Sequence, residues 1–556
     1  MEKAWLENYP EGVPETIDPH KYKSLGDMFL NSVHKFRDRP AYTNLGTVLN
    51  YNDVENLTRD FAAYLTQQAG LKKGDRIAIM MPNLLQYPIV LFSALRAGLI
   101  VVNTNPLYTQ RELEHQLNDS GAVAIVILEN FAGTLSNILE HTNIKTIVTT
   151  RIGDLAPFPK SVLINFVVKY IKKMVPPFKL PTAIKFNDAL SLGKKESFED
   201  ADIIHEDIAF LQYTGGTTGV AKGAALTHRN MIANLLQVKA WVSNELKEES
   251  KEIFITALPL YHIFSLTANA FALTLGAKSV LITNPRDMKG FVKELSQEKF
   301  TFMAGVNTLY NGLLNTPNFD KLDFSHVKLF LGGGMAVQES VAKKWKVITG
   351  QTIIEAYGLT ETSPGVCVNP ANNQEFTGNI GLPIPSTEVY VKDKQGKQLA
   401  FNEPGELCVR GPQVMQSYWN RPEETASVMD DKGWLHTGDI AIINEGGFVK
   451  LIDRLKDLII VSGFNVYPNE IENVVSAHPK VLEVGAIGVP HKQSGEAVKL
   501  FVVKKENTLT KEELKAYCYT EMTRYKCPKY IQFVDDLPKS NVGKVLRKDL
   551  RALEVS

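Results

Sequence analysis

No sign of charge is in excess in this chain of 556 residues: lysine plus arginine and aspartate plus glutamate both total 61. There is no net field to collect a polyanion, so nucleic acid finds no support as a partner. Cysteine is scarce as well. The four present, Cys367, Cys408, Cys518 and Cys527, show neither a CxxC pair nor zinc-ligand spacing, so a disulfide framework is not expected and a reducing, cytoplasmic setting is. Long apolar runs are missing. The most apolar stretch, 87–102, is broken by Arg96 and falls short of the roughly 20 residues of a spanning helix. No transmembrane segment is expected, and the charged start, Met1 to Asn8, does not suit a signal peptide. What remains is ordinary for a globular protein, 44% hydrophobic and 22% charged, and the length calls for two or more domains.

Short apolar runs alternate with helical patterns through the first half. Residues near 24–45 read as a helix, 47–51 as a strand, 53–68 as a helix and 76–81 as a buried strand. Further strands are expected at 99–102, 123–127, 144–148, 253–257, 279–282, 327–331 and 353–357. This is the rhythm of an α/β protein built on largely parallel sheets. Residues 405–455 read instead as short β segments, and the part after Asp453-Arg454-Leu455-Lys456-Asp457 as a small α+β unit.

The stretch that organises the chain is Tyr213-Thr214-Gly215-Gly216-Thr217-Thr218-Gly219, continuing through Lys222 and Gly223. It follows an apolar strand, and a helix start follows at 227–231. Strand, glycine loop and helix is an arrangement that presents bare N–H groups to phosphate oxygens, with threonine hydroxyls and a lysine as further donors. The spacing is not that of the Walker loop, which ends in Gly-Lys-Ser/Thr. By itself such a loop reads equally as a surface turn.

Other candidates lie downstream. His262 sits in the apolar run 258–264. Gly332, Gly333 and Gly334 end a strand and offer a side-chain-free wall for a planar ring. Tyr357, Gly358, Thr360 and Glu361 place an aromatic face, a hydroxyl and a carboxylate within five residues of one another, as a nucleotide–magnesium site needs. Asp439 after a glycine turn suits a ribose diol, and Lys544 beside Gly543 suits a phosphate. Residues 161–175 combine Lys169, Lys172 and Lys173 with a broad apolar surface. They read either as a helix packed on its own domain or as one lying in a membrane interface.

Taken in order, YTGGTTGVAKG, LPLYHIF, GGGMAV, YGLTET, GELCVRG, GWLHTGD, DRLKDLIIVSGFNVYPNEIE and PKSNVGKVLR resemble the adenylate-forming superfamily. That superfamily comprises acyl-CoA synthetases, nonribosomal peptide adenylation domains and firefly-type luciferases. The run 433–472 and residues 161–180 are most similar to bacterial long-chain fatty-acid–CoA ligases. The resemblance implies an N-terminal adenylation domain over 1–455, a hinge at Lys456 or Asp457, and a mobile C-terminal domain over 458–556. It implies ATP, CoA and a long-chain fatty acid as substrates, with Mg²⁺ as cofactor. It also implies roles: Lys222 with Thr214, Thr217 and Thr218 on the phosphates, Glu361 on Mg²⁺, Thr360 on the phosphate region, and Tyr357 with Gly333 and Gly334 on adenine. Asp439 and Arg454 would hold ribose, Lys544 would bridge carboxylate and α-phosphate, and His262 would border the acyl pocket. Medium-chain or aryl acids on the same scaffold remain open, as does a lipid-binding relative without catalysis. Oligomeric state is also open, a homodimer included.

Overall fold

The computed structural model describes residues 3–214, 221–247 and 249–555. The glycine loop positions Gly215, Gly216, Thr217, Thr218 and Gly219 lie outside these residues.

Two large sheets carry the first two-thirds of the chain. One has nine strands and is parallel through its centre, where 253–256, 278–281, 302–305, 329–332 and 353–358 align. The other has eight strands, with the strands of 76–150 and Ile208–Thr214 parallel to one another. The aliphatic runs read from sequence form these strands because both of their faces are covered, as in Ala124–Leu128, which is buried along its whole length. Helices pack between and around the sheets. Helix Gln86–Arg96 has every side chain buried, and Phe29 stacks on Phe92 at 4.5 Å between ring centroids, in a core shared by both sheets.

Residues 388–454 form a four-stranded antiparallel sheet, and 459–534 a five-stranded sheet with its own core around Ile471, Leu500 and Leu514. The last helix, Arg547–Val555, packs on this sheet through Leu550. Asp453, Arg454, Lys456 and Asp457 mark the passage between the two sheets, where the charged run marks it in the sequence.

Three expectations change. Residues 24–45 are not one helix: helix Leu25–Lys35 is followed by strand Pro40–Asn44, which joins the nine-stranded sheet beside Lys278–Leu281. The glycine loop does not lead into a helix. It joins Ile208–Thr214 to Lys222–Thr227 as an antiparallel hairpin, with Thr214 opposite Lys222. Helix His228–Trp241 begins only after the second strand, capped by Thr227 and Asn230 in reciprocal bonds. Its dipole is therefore a full strand away from the loop. Finally, 161–175 is a helix, Lys160–Phe166, continued by a wider turn, Val167–Ile171; together they half-bury Ile164, Val167 and Val168 and leave their other apolar side chains exposed. Phe158 is 85% exposed and Val162, Leu163, Tyr170 and Ile171 about 60% each (59, 63, 61 and 64%). Among the described residues no helix is long and apolar enough to cross a membrane.

Candidate active site

One cavity of about 1970 Å³ is lined by residues spread from Asn103 to Arg551. Thr214, Lys222, His262, Gly333, Gly334, Tyr357, Gly358, Thr360, Glu361, Asp439, Arg454 and Lys544 all border it, as does Tyr213. Every described site residue expected from sequence is thus brought to one place, from strands and turns up to hundreds of residues apart.

The ribose and adenine candidates form one cluster. The Tyr357 hydroxyl donates to Asp439 Oδ2 at 2.6 Å, and Arg454 Nε lies 3.2 Å from Asp439 Oδ1. Asp439 and Arg454 face each other across neighbouring antiparallel strands, which is why residues distant by motif meet. Burial, then the Asp439 charge, drives the Tyr357 phenol well above its ordinary value, so it is a donor at any working pH. The wall beside it is bare because it must be. A Cβ on Gly333 would meet the Phe264 ring at 3.0 Å, one on Gly358 would meet Pro364 O at 2.1 Å, and Gly334 has φ +76°.

Thr214 and Lys222 stand opposite each other at the end of the hairpin where the glycine loop joins its two strands. Lys222 Nζ is 2.9 Å from Glu424 Oε2 and lies over the Tyr418 ring. Glu361 is on a short turn, 360–362, and its Oε1 accepts the Tyr418 hydroxyl at 2.6 Å. Tyr213 is tied down differently: its hydroxyl donates to Asp119 Oδ2 at 2.7 Å, so its part is to anchor the strand end.

Lys544 arrives from the C-terminal segment on a turn closed by Ser540, whose Oγ accepts the Lys544 N–H at 3.1 Å. The turn docks on the larger part of the chain where Thr308 Oγ1 donates to Gly543 O at 2.9 Å. Gly543 has φ +84°, and a Cβ there would stand 2.5 Å from Thr308 Oγ1; both facts demand glycine. Burial and then the neighbouring Arg454 guanidinium push the Lys544 ammonium down to about 7. Burial, helped by the Lys544 charge, pushes His262 down to about 4, so its imidazole is neutral and serves as wall and acceptor. Its Nδ1 faces the Phe264 N–H at the start of helix Ile263–Thr274.

Some cavity residues carried no sequence signal that was read. Glu355, buried on the strand before Tyr357, is raised to about 8 by burial, so it is a neutral carboxyl at pH 7, and its Oε2 has no hydrogen-bond partner. Trp241, Val242, Phe271 and Phe302 give another part of the wall an apolar lining. Tyr418, Glu424, Asp119 and Thr308 were equally silent, because each acts on a partner far away in sequence.

A family model described as AMP-binding enzyme matches residues 29–419, most of the chain. The protein belongs to the AMP-binding enzyme family. A second model, the AMP-binding enzyme C-terminal domain, matches residues 470–544 and so ends on Lys544. Among curated members of the family, the long-chain-fatty-acid–CoA ligase of Escherichia coli O157:H7 is 56% identical over 552 residues, covering 99% of this chain and 98% of that protein. The ligase of the same description from Bacillus subtilis (strain 168) is 38% identical over 99% and 98%. The feruloyl-CoA synthase of an Amycolatopsis species is 32% identical over 91% and 94%. An anthranilate CoA ligase crystallised with anthranoyl-AMP shares the fold at a TM-score of 0.86, with 23% identity over 97% of this chain and 99% of that one. The family's fold is thus a large α/β N-terminal part followed by a small C-terminal domain.

Proposed function

We propose that this AMP-binding enzyme is a long-chain fatty-acid–CoA ligase that works through an acyl-adenylate and releases AMP and pyrophosphate. The observation that carries the reading is one continuous cavity that joins a cationic and hydroxyl-bearing region at Lys222, Arg454 and Lys544 to an apolar wall. The full-length identity with ligases of that description supports it.

The carboxylate of the acid attacks the α-phosphorus of ATP, the bond from that phosphorus to the bridging oxygen breaks, and pyrophosphate leaves. Two anions must meet, so the chain supplies positive charge and alignment. Lys544 holds the carboxylate against the α-phosphate. Tyr357 and the backbone of Gly333 and Gly334 seat the adenine, Asp439 takes the ribose hydroxyls, and Arg454 orients Asp439. Lys222, Thr214 and Thr360 bind the phosphates. The CoA thiolate then attacks the acyl carbon, and AMP leaves as the carbonyl reforms. Among the described residues no group of three or more His, Cys, Asp or Glu could hold a metal alone. A Mg²⁺ ion bound together with a polyphosphate would need only one or two protein carboxylates, and Glu361, which lines the cavity with Thr214 and Thr360, would supply one. When bound, the ion neutralises charge on the leaving pyrophosphate.

Lys544 fills the approach to the reacting centre during the first step, so thioester formation requires the C-terminal domain, 458–556, to rotate about Lys456–Asp457. Exchange of labelled pyrophosphate into ATP tests the first step. It should depend on a long-chain acid and proceed without CoA; exchange that requires CoA would overturn the adenylate.

The exposed apolar face of 158–174 with Lys169, Lys172 and Lys173 suits the interface of an anionic bilayer, where an amphiphilic substrate is concentrated. The protein should sediment with anionic liposomes, and changing the three lysines to glutamate should lower the bound fraction about tenfold or more, at roughly 1 kcal/mol per basic residue near the surface. Unchanged sedimentation would remove the membrane from the account.

A further inference from the structure

Residues 417–424 touch both Lys222, which the proposed function gives to the nucleotide phosphates, and Glu361, which it gives to Mg²⁺. Ser417 and Tyr418 pair antiparallel with Ala225 and Ala224 on the second hairpin strand, and the Trp419 N–H donates to Gly223 O at 2.8 Å. Arg421 Nη2 donates to Asp119 Oδ1 at 2.7 Å, the same carboxylate that holds Tyr213. The segment is therefore fixed to the base of the glycine loop on two sides. From it Glu424 reaches Lys222 at 2.9 Å, the Tyr418 ring lies 5.2 Å from the same ammonium, and the Tyr418 hydroxyl holds Glu361.

The two partners differ in mobility. Glu424 is on helix Pro422–Val428, anchored as above, whereas Lys222 projects a flexible stem from a strand end. Their side chains are 32% and 38% exposed, and Glu424 Oε2, though itself buried, makes no hydrogen bond among the described residues, so the pair is a weak contact of two partly exposed side chains. A polyphosphate chain brings several negative oxygens to a lysine where Glu424 brings one carboxylate, and it wins the competition.

We propose that Glu424 is a counter-ion latch for the nucleotide site: without nucleotide it holds Lys222 against the Tyr418 ring, and a magnesium polyphosphate takes the lysine from it. This rests on the reading of Lys222 as a phosphate ligand. The latch acts on occupancy of the β,γ region alone. ATP and pyrophosphate must displace Glu424, while AMP, which has no β- or γ-phosphate, leaves the pair closed. Once pyrophosphate departs, Lys222 returns to Glu424 and nothing in that region retains AMP. Glu424 is thus a positioning residue that sets the affinity for polyphosphate and eases its release.

Calorimetric titration of the full chain with Mg·ATP, Mg·pyrophosphate and AMP, without fatty acid, tests it in the wild type, Glu424→Gln, Lys222→Gln and the double variant. Removing the competitor should tighten ATP and pyrophosphate about threefold, the scale of a partly exposed ion pair, and leave AMP unchanged. In the Lys222→Gln background the Glu424→Gln change should have no effect. A gain in affinity cannot come from misfolding. Unchanged or weaker ATP binding in Glu424→Gln, with Lys222→Gln still weakened, overturns the latch and keeps the phosphate role of Lys222. Equal tightening of AMP, or tightening that persists without Lys222, shows a general charge effect and also overturns it. If Lys222→Gln binds ATP as the wild type does, the phosphate reading of Lys222 fails and the latch with it.

Discussion

Replacing Lys544 with alanine should lower fatty acid-dependent pyrophosphate exchange by about a thousandfold, ~4 kcal/mol at 1.36 kcal/mol per tenfold. It should leave thioester formation from supplied acyl-adenylate and CoA within a few-fold of the wild type. The split follows from position. Lys544 is the group of the C-terminal segment that enters the cavity beside Arg454 and His262, and the second step has no α-phosphate attack to assist. Equal loss of both half-reactions would mean that Lys544 supports the structure and not the first step. The pH dependence has a definite sign. In the nucleotide-free enzyme the ammonium is held down to about 7, so the charged form is present below that value and lost above it. The kcat/KM for ATP in the exchange reaction should decline as pH rises through about 7. Bound phosphate stabilises the charged form, so the decline in kcat should lie at higher pH. The same group affects stability in the opposite direction. The unfolded lysine holds its proton to its ordinary value of 10.5, so between about 7 and that value stability rises with pH, and Lys544→Met should stabilise the free protein below about 7.

Replacing Arg547 with methionine should destabilise the C-terminal domain by about 3–5 kcal/mol, the cost of stranding buried charge. Arg547 grips Glu472 with two bonds, 3.1 and 2.8 Å, and reaches Asp453 at 3.1 Å, Asp457 at 3.4 Å and Asn469 Oδ1 at 2.6 Å. The Asp453 side chain is fully buried. Burial already raises Asp453 and Glu472 from their ordinary values despite the arginine. Without it they rise further and stay protonated in the folded state while ionised in the unfolded one. Stability then falls as pH rises from the ordinary carboxylate value through their raised folded values, so the loss against wild type should grow with pH across that window. Hydrogen exchange in helix Pro468–Ser476 and strand Val481–His491 should quicken a hundredfold or more, with the eight-stranded sheet unchanged. Unaltered protection would show that the cluster contributes nothing net. Asp453 precedes the proposed hinge and Asp457 is part of it, so the same substitution also loosens the pose that brings Lys544 into the cavity.

The sequence carried the layers of this fold better than its connections. Runs such as 76–81 and 124–128 announce buried strands because both faces are covered and no alternation survives. The hairpin at 208–227 was misread for a physical reason. Its second strand, Lys-Gly-Ala-Ala-Leu-Thr, has almost no β-branched residue, and its strand character comes from pairing with Gln212 and Tyr213 on one side and Tyr418 on the other. Strand Pro40–Asn44 is hidden in the same way, since pairing with 278–281 on one side and with 47–50 on the other makes it a strand. The site was legible wherever a motif carries its own chemistry, as with Tyr357, Glu361, Asp439 and Lys544. It was silent where one residue acts on another across the chain, as Tyr418 does on Glu361 and Glu424 on Lys222, because nothing local distinguishes such residues from an ordinary surface turn.

On the proposed function, the cavity activates long-chain carboxylates as adenylates. The most direct test is nucleotide release with ATP, Mg²⁺ and CoA across carboxylic acids from acetate to oleate, with a coumarate alongside. AMP and pyrophosphate should appear with the long acids, and kcat/KM should rise with each added methylene by the roughly 0.8 kcal/mol of a buried CH₂. Release of ADP, or AMP formation indifferent to the acid supplied, would contradict the account.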